Sequence, residues 1–195
     1  AAHGGRATVR ELLRERDLYR ELENKVNQAE EDLDRLMAEH NLELYNEVVA
    51  DDSVYGSWYV VDVNDTNEEN GFYGILLETD PQHGIVAFRG SESYDTNQIV
   101  KDWINADFGL LMDKDTTQQE KAAEYMAQIG QRFSYDAYAV TGHSLGGNLA
   151  EHAVIGAPES MRGKLVQTVN FDGPGFSETY MERNRDKISG VIHPI

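Results

Sequence analysis

Val140-Thr141-Gly142-His143-Ser144-Leu145-Gly146-Gly147-Asn148-Leu149-Ala150 is the stretch on which the reading of the fold turns. Before it, Tyr135-Asp136-Ala137-Tyr138-Ala139-Val140 reads as a short buried strand, and after it residues 145–155 read as a helix opened by small residues. A strand that becomes a helix within so few residues needs a sharp turn, and Gly142 and Gly146 stand where a Cβ would collide. The residue at the centre of such a turn, a nucleophile elbow, sits on strained backbone with its hydroxyl exposed at the sheet edge. Ser144 is that residue, with His143 before it pointing elsewhere. The competing reading is a glycine-rich turn that carries a surface serine.

Downstream of the elbow helix, Pro158 and Gly163 bracket a loop and residues 164–171 read as the next strand. That strand stops at Asp172-Gly173-Pro174-Gly175, a helix is expected over 177–186, and residues 187–193 read as a last strand. Upstream, Asp115-Thr116-Thr117 caps a helix to about residue 133 that faces Ala122, Tyr125, Met126 and Ile129 inward. Residues 97–113 place Ile99, Trp103, Ile104 and Phe108 on one side of a polar stretch, which predicts a short amphipathic helix.

Farther upstream, residues 58–63, 72–77 and 84–90 are aromatic and β-branched runs that read as strands. The first two are separated by Asn64-Asp65-Thr66-Asn67-Glu68-Glu69-Asn70-Gly71, a hairpin connection whose acidic tip lacks the alternating ligand spacing of a calcium loop. Strands alternating with helices from the elbow onward predict an α/β fold: a mostly parallel sheet with helices on both faces and an antiparallel N-terminal hairpin.

A long charged helix is expected to precede this body, over about residues 8–40. Leu12, Tyr19, Leu22, Val26, Ala29, Leu33 and Leu36 line one side, and from Tyr19 onward the spacing is that of a heptad seam, with Glu15 interrupting its early part. Such a stripe can pack on the body, pair with a second copy or take a partner helix. The division is thus residues 1–40 for the helix and 41–195 for the α/β domain.

The 195 residues carry a net charge of −18, with a pI near 4.6. No basic stripe exists to displace counterions from phosphate, which argues against nucleic-acid binding and against electrostatic docking on anionic membranes. Cysteine is absent, which removes disulfides, thiolate metal sites and a cysteine nucleophile and leaves the compartment open. No apolar stretch approaches the roughly 20 residues of a spanning helix, and the start, Ala1-Ala2-His3-Gly4-Gly5, is neither an initiator nor a signal peptide; it reads as a cloning remnant or the cut edge of a longer chain.

Val86-Ala87-Phe88-Arg89-Gly90-Ser91, Asp102-Trp103 and Gly142-His143-Ser144-Leu145-Gly146-Gly147 together resemble the class 3 lipases, an α/β-hydrolase family that includes fungal triacylglycerol lipases. The resemblance covers residues 42–195. It implies a serine ester hydrolase acting on lipid acyl esters through an acyl-enzyme on Ser144, with an oxyanion hole from Ser91 and the Leu145 N–H and no metal or organic cofactor. It also makes residues 97–108 a candidate lid that meets a lipid surface, although Ala106 stands where the family carries an acid and Asp107 follows one position late; an ordinary amphipathic core helix is the other reading. Serine needs a histidine base and a carboxylate that orients it, in chain order Ser, Asp/Glu, His. By strand count the family's acid and histidine are expected just beyond Ile195, on a chain read as truncated. Ser144, Asp172 and His193 form the in-chain alternative. Two other outcomes stay open: a catalytically incomplete scaffold or interaction module, and a hydrolase of soluble esters.

Overall fold

A computed structural model describes residues 6–66, 68, 71–90 and 116–188. Ser91, His193 and the 97–108 segment lie outside the described residues. The chain divides into two compact units, residues 1–61 with 77–80 and residues 62–76 with 81–195.

In the first unit, strand β1 (Ala7–Thr8) leads into helices α1 (Val9–Glu15), α2 (Leu18–Gln28) and α3 (Asp32–Val49). Thr8 and Glu11 form a reciprocal capping box at the start of α1. The single helix expected over 8–40 is therefore three, broken at Asp17 and again between Ala29 and Glu31, where the backbone is extended. A heptad seam on one continuous helix has nothing within its own helix to cover it. The breaks let α2 fold back on α3, where Tyr19 of the seam meets the buried Tyr45 with ring centroids 5.9 Å apart. Arg10 closes the end of α3, donating from Nη2 to the carbonyls of Ala50 at 2.7 Å and Ser53 at 3.0 Å. The Ala50 carbonyl, at the C-cap of α3, also accepts the Ser53 amide at 3.1 Å, so the turn after the helix is tied to Arg10 on both sides.

Strand β2 (Tyr59–Thr66) pairs antiparallel with β1, and β3 (Phe72–Asp80) is joined to β4 (His83–Phe88) by Pro81-Gln82 alone. A two-residue connection serves only an antiparallel pair. Helix α4 (Thr117–Arg132), strand β5 (Ala137–His143), helix α5 (Leu145–Ile155), the one-turn α6 (Glu159–Arg162) and strand β6 (Leu165–Phe171) complete the crossovers. The six strands follow the order β1-β2-β3-β4-β5-β6, and the β4–β5 and β5–β6 pairs run parallel. The fold is α/β, with parallel pairing confined to the half of the sheet that carries the elbow; the expectation of a mostly parallel sheet is corrected to that extent.

Burial alternates along these strands. Gly84, Val86 and Phe88 of β4 and Tyr138, Val140 and Gly142 of β5 are buried, while their neighbours are half-buried or exposed. Among the described residues this is the pattern of a sheet packed on one face, not the two expected. Helix α5 lies across β4, β5 and β6 and packs on α4. Tyr125 of α4 meets Phe72 and Phe88 at 6.2 and 6.4 Å, edge to face, and each buried side chain of this size contributes about 2 kcal/mol. After β6 come α7 (Glu178–Arg183) and α8 (Arg185–Ile188). Lys187 and Ile188 end a helical turn instead of opening the strand expected over 187–193, whose remainder lies outside the described residues.

Candidate active site

Ser144 is the N-cap of α5 with φ 55° and ψ −129°, a region that a side chain bearing a Cβ rarely enters. Three close approaches hold it there. A Cβ on Gly142 would strike the backbone of Gly146, and one on Gly146 would strike the carbonyl of Phe88 at the end of β4. On the other side the Ser144 amide donates to the Phe171 carbonyl at the end of β6, at 2.8 Å. The elbow is thus wedged between the ends of the two strands that flank β5. The Ser144 carbonyl accepts the Gly147 amide at 2.9 Å and so starts α5, while the side chain makes no capping bond. Its hydroxyl is left for other chemistry, half-buried at the strand end.

Leu145 is the first residue of α5. Its amide belongs to the first-turn N–H groups that have no acceptor within a helix, and the helix dipole adds positive potential there. His143 is exposed. His152 is buried on α5, and its Nδ1 is 2.8 Å from the Tyr180 hydroxyl. Phe176 stacks on Tyr180 at 4.4 Å, so this histidine fastens α7 to the core. Neither histidine is hydrogen bonded to Ser144.

Asp172 follows β6 directly and is exposed, with φ 52°. The structure brings its backbone beside Ser144; the two side chains make no hydrogen bond. Ser91 and His193 cannot be added to this geometry, since both lie outside the described residues. No group of three or more His, Cys, Asp or Glu that could hold a metal ion occurs among the described residues.

Sequence reading overlooked the polar residues beneath the elbow. Asn148 is fully buried on α5 and links Gln119, from Nε2 to Oδ1 at 2.8 Å, to the carbonyl of Pro174, at 3.0 Å from Nδ2. Asn170 accepts the Gly173 amide at 2.7 Å and lies against Gly147, which has no room for a Cβ. Glu151 is hydrogen bonded to Asn170, and burial pushes its carboxyl above the usual range while that bond opposes the shift. The available signal was Asn148 itself, a lone amide in a helix otherwise rich in small and apolar residues.

Residues 53–190, well over half of the chain and the whole of the elbow, match the sequence model of the Mbeg1-like family. The chain belongs to the Mbeg1-like family. Neither the curated proteins nor the solved structures contain a significant match. This Mbeg1-like assignment overturns the resemblance to class 3 lipases, and with it the description of the chain as a lipase or serine esterase of lipid degradation acting on lipid acyl esters. The physical reason lies in what the shared residues record. Gly142, Gly146 and Gly90 are small because backbone passes within contact distance, as where a Cβ on Gly90 would come 2.7 Å from the His143 carbonyl. Crowding of that kind specifies a turn and carries no information about the molecule that binds above it.

Proposed function

We propose that this Mbeg1-like protein is an acyl-transfer enzyme with Ser144 as its nucleophile. The observation that carries the reading is the backbone of Ser144: a non-glycine residue held at φ 55° and ψ −129° between a parallel strand and a helix, with its hydroxyl uncommitted. Strain of this kind costs on the order of 1–3 kcal/mol and persists where the surroundings enforce it. Here the surroundings are the carbonyls of Phe88 and Phe171 and the backbone of Gly146. We read the β4–β5–β6 half of the sheet, with α4 and α5, as an α/β-hydrolase-like arrangement of the nucleophile.

In this reaction the Ser144 Oγ adds to an acyl carbonyl, and the negative charge that develops on the carbonyl oxygen is met by the Leu145 amide. One preset donor of that kind contributes about 3 kcal/mol to the lowering of the barrier. The bond to the leaving group breaks, the Ser144 hydroxyl proton passes to solvent, the acyl group rests on Ser144, and water or another hydroxyl acceptor then takes it and restores the serine. An activated acyl donor, p-nitrophenyl acetate, tests the reading. Wild-type protein is expected to release nitrophenolate in a stoichiometric burst and to retain an acetyl group on the peptide that contains Ser144, and Ser144→Ala to do neither. An equal burst from Ser144→Ala would remove the assignment.

A further inference from the structure

The turn after β6 is held more firmly than a surface connection requires. In the β5–β6 register His143 lies opposite Phe171, and the Ser144 amide donates to the Phe171 carbonyl at 2.8 Å, so Ser144 and Asp172 each follow directly on the paired ends of two neighbouring strands. They are also the only non-glycine residues with positive φ among the described residues. Beneath them, the buried Asn148 donates to the Pro174 carbonyl at 3.0 Å and accepts from Gln119 at 2.8 Å. From the side, Asn170 holds the Gly173 amide at 2.7 Å and is itself bonded to Glu151. Gly173 lies so close to the elbow that a Cβ there would come 2.6 Å from the Ser144 carbonyl and 2.8 Å from the Asn148 amide.

A buried amide is costly unless both of its ends are paired, and the two ends of Asn148 are paired, one of them to this turn. The turn is therefore a fixed wall of the Ser144 site. What it presents is one carboxylate. Aspartate, here Asp172, is one of the few residues besides glycine that a left-handed position accepts, and unlike glycine it brings a charge to the turn. Its side chain is exposed and makes no hydrogen bond to a described residue.

We propose that Asp172 is the specificity-determining residue of the Ser144 site, taking a cationic group of the acyl substrate beside the reacting carbonyl, with Asn148 and Asn170 as its positioning residues. The proposal rests on Ser144 as nucleophile. A net charge of −18 attracts cations at long range, but that attraction is screened beyond about 8–10 Å at physiological salt, whereas contact with Asp172 at shorter range is screened less. Charge selectivity at the site therefore falls less with added salt than selectivity from the net charge does.

Two fluorophosphonates with neutral alkyl and trimethylammonium tails test this on the full chain. With each, the Ser144 Oγ forms a bond to phosphorus, fluoride leaves, and the hydroxyl proton passes to solvent. At about 0.3 M salt the cationic probe is expected to label wild type about threefold faster than the neutral one, the size of one exposed ion pair. Asp172→Asn and Asp172→Gly bring that ratio to about one, and the glycine variant melts no lower than wild type because its backbone is relieved. Asn148→Ala lowers the ratio through probe affinity and leaves the limiting labelling rate less affected, which separates positioning from general loss of structure. Asp186→Asn, which removes one exposed charge elsewhere, retains the wild-type ratio. A ratio in Asp172→Asn equal to that of wild type overturns the role of Asp172 while Ser144 stands. No labelling of wild type by either probe overturns the nucleophile and the proposal together.

Discussion

At Ser144 the chain places a Cβ where glycine would sit more easily, and the cost is set by a backbone held at φ 55° and ψ −129°. Ser144→Gly relieves it, so this variant is expected to be more stable than wild type by about 1 kcal/mol in chemical denaturation, with all labelling lost. Equal or lower stability would mean that the turn is not strained. Gly146 carries the opposite prediction. Its α-carbon faces the Phe88 carbonyl, and no flexible side chain stands there to yield. Gly146→Ala should therefore destabilise by about 2 kcal/mol or more, measured by the same titration. Both predictions follow from residues whose identity was legible from the start, because a glycine forced by backbone contact is a strong local signal. The carboxylate at Asp172 was legible only as a strand-end residue; that its strand ends beside the elbow emerges from the parallel register of β5 and β6.

Among the elements, β5 and α5 were readable because the signal that defines them lies within a dozen residues. The breaks in the N-terminal helices were not. Asp17 and Ala29 carry no strong helix-breaking chemistry, and the fold-back of α2 on α3 is decided by packing that local propensity does not encode. Lys187 and Ile188 failed for a related reason, since a short run with β-branched residues fits a strand or a helical turn equally. Asn148 was read as one more helical residue, although its position on α5, one turn after Ser144, makes it the link between the elbow helix, α4 and the turn after β6.

The same helix gives a pH prediction. Burial raises the Glu151 carboxyl above its ordinary 4.5, so the native protein keeps that proton to higher pH than the unfolded chain does. The resulting destabilisation is absent below about 4.5, grows as pH rises toward the raised native value, and is constant beyond it. Glu151→Gln removes it. The variant should gain stability over wild type between about pH 4 and about pH 7, read as a difference in melting temperature, and a difference that is the same at both pH values would contradict the raised carboxyl.

For the whole molecule the governing quantity is charge. With 35 acidic residues against 17 lysines and arginines, the compact chain repels itself. Raising sodium chloride from about 0.01 to about 0.3 M shortens the screening length from roughly 30 to roughly 6 Å, and the melting temperature should rise with it; a fall would show that specific ion pairs outweigh the net repulsion. Membership of the Mbeg1-like family, over residues 53–190, covers the elbow, its strands and the turn at Asp172 together. What was legible about function at this scale was a serine on a strained turn; the substrate was not, since the motif glycines answer to crowding alone.

Whether the strain at Ser144 serves a reactive hydroxyl can be read directly. The most direct measurement is peptide mapping of the full chain after reaction with an alkyl fluorophosphonate. A single phosphonylated residue, Ser144, is expected, with no adduct in Ser144→Ala. A folded wild type that stays unmodified, or an adduct on any other serine, would contradict the assignment of Ser144 as nucleophile.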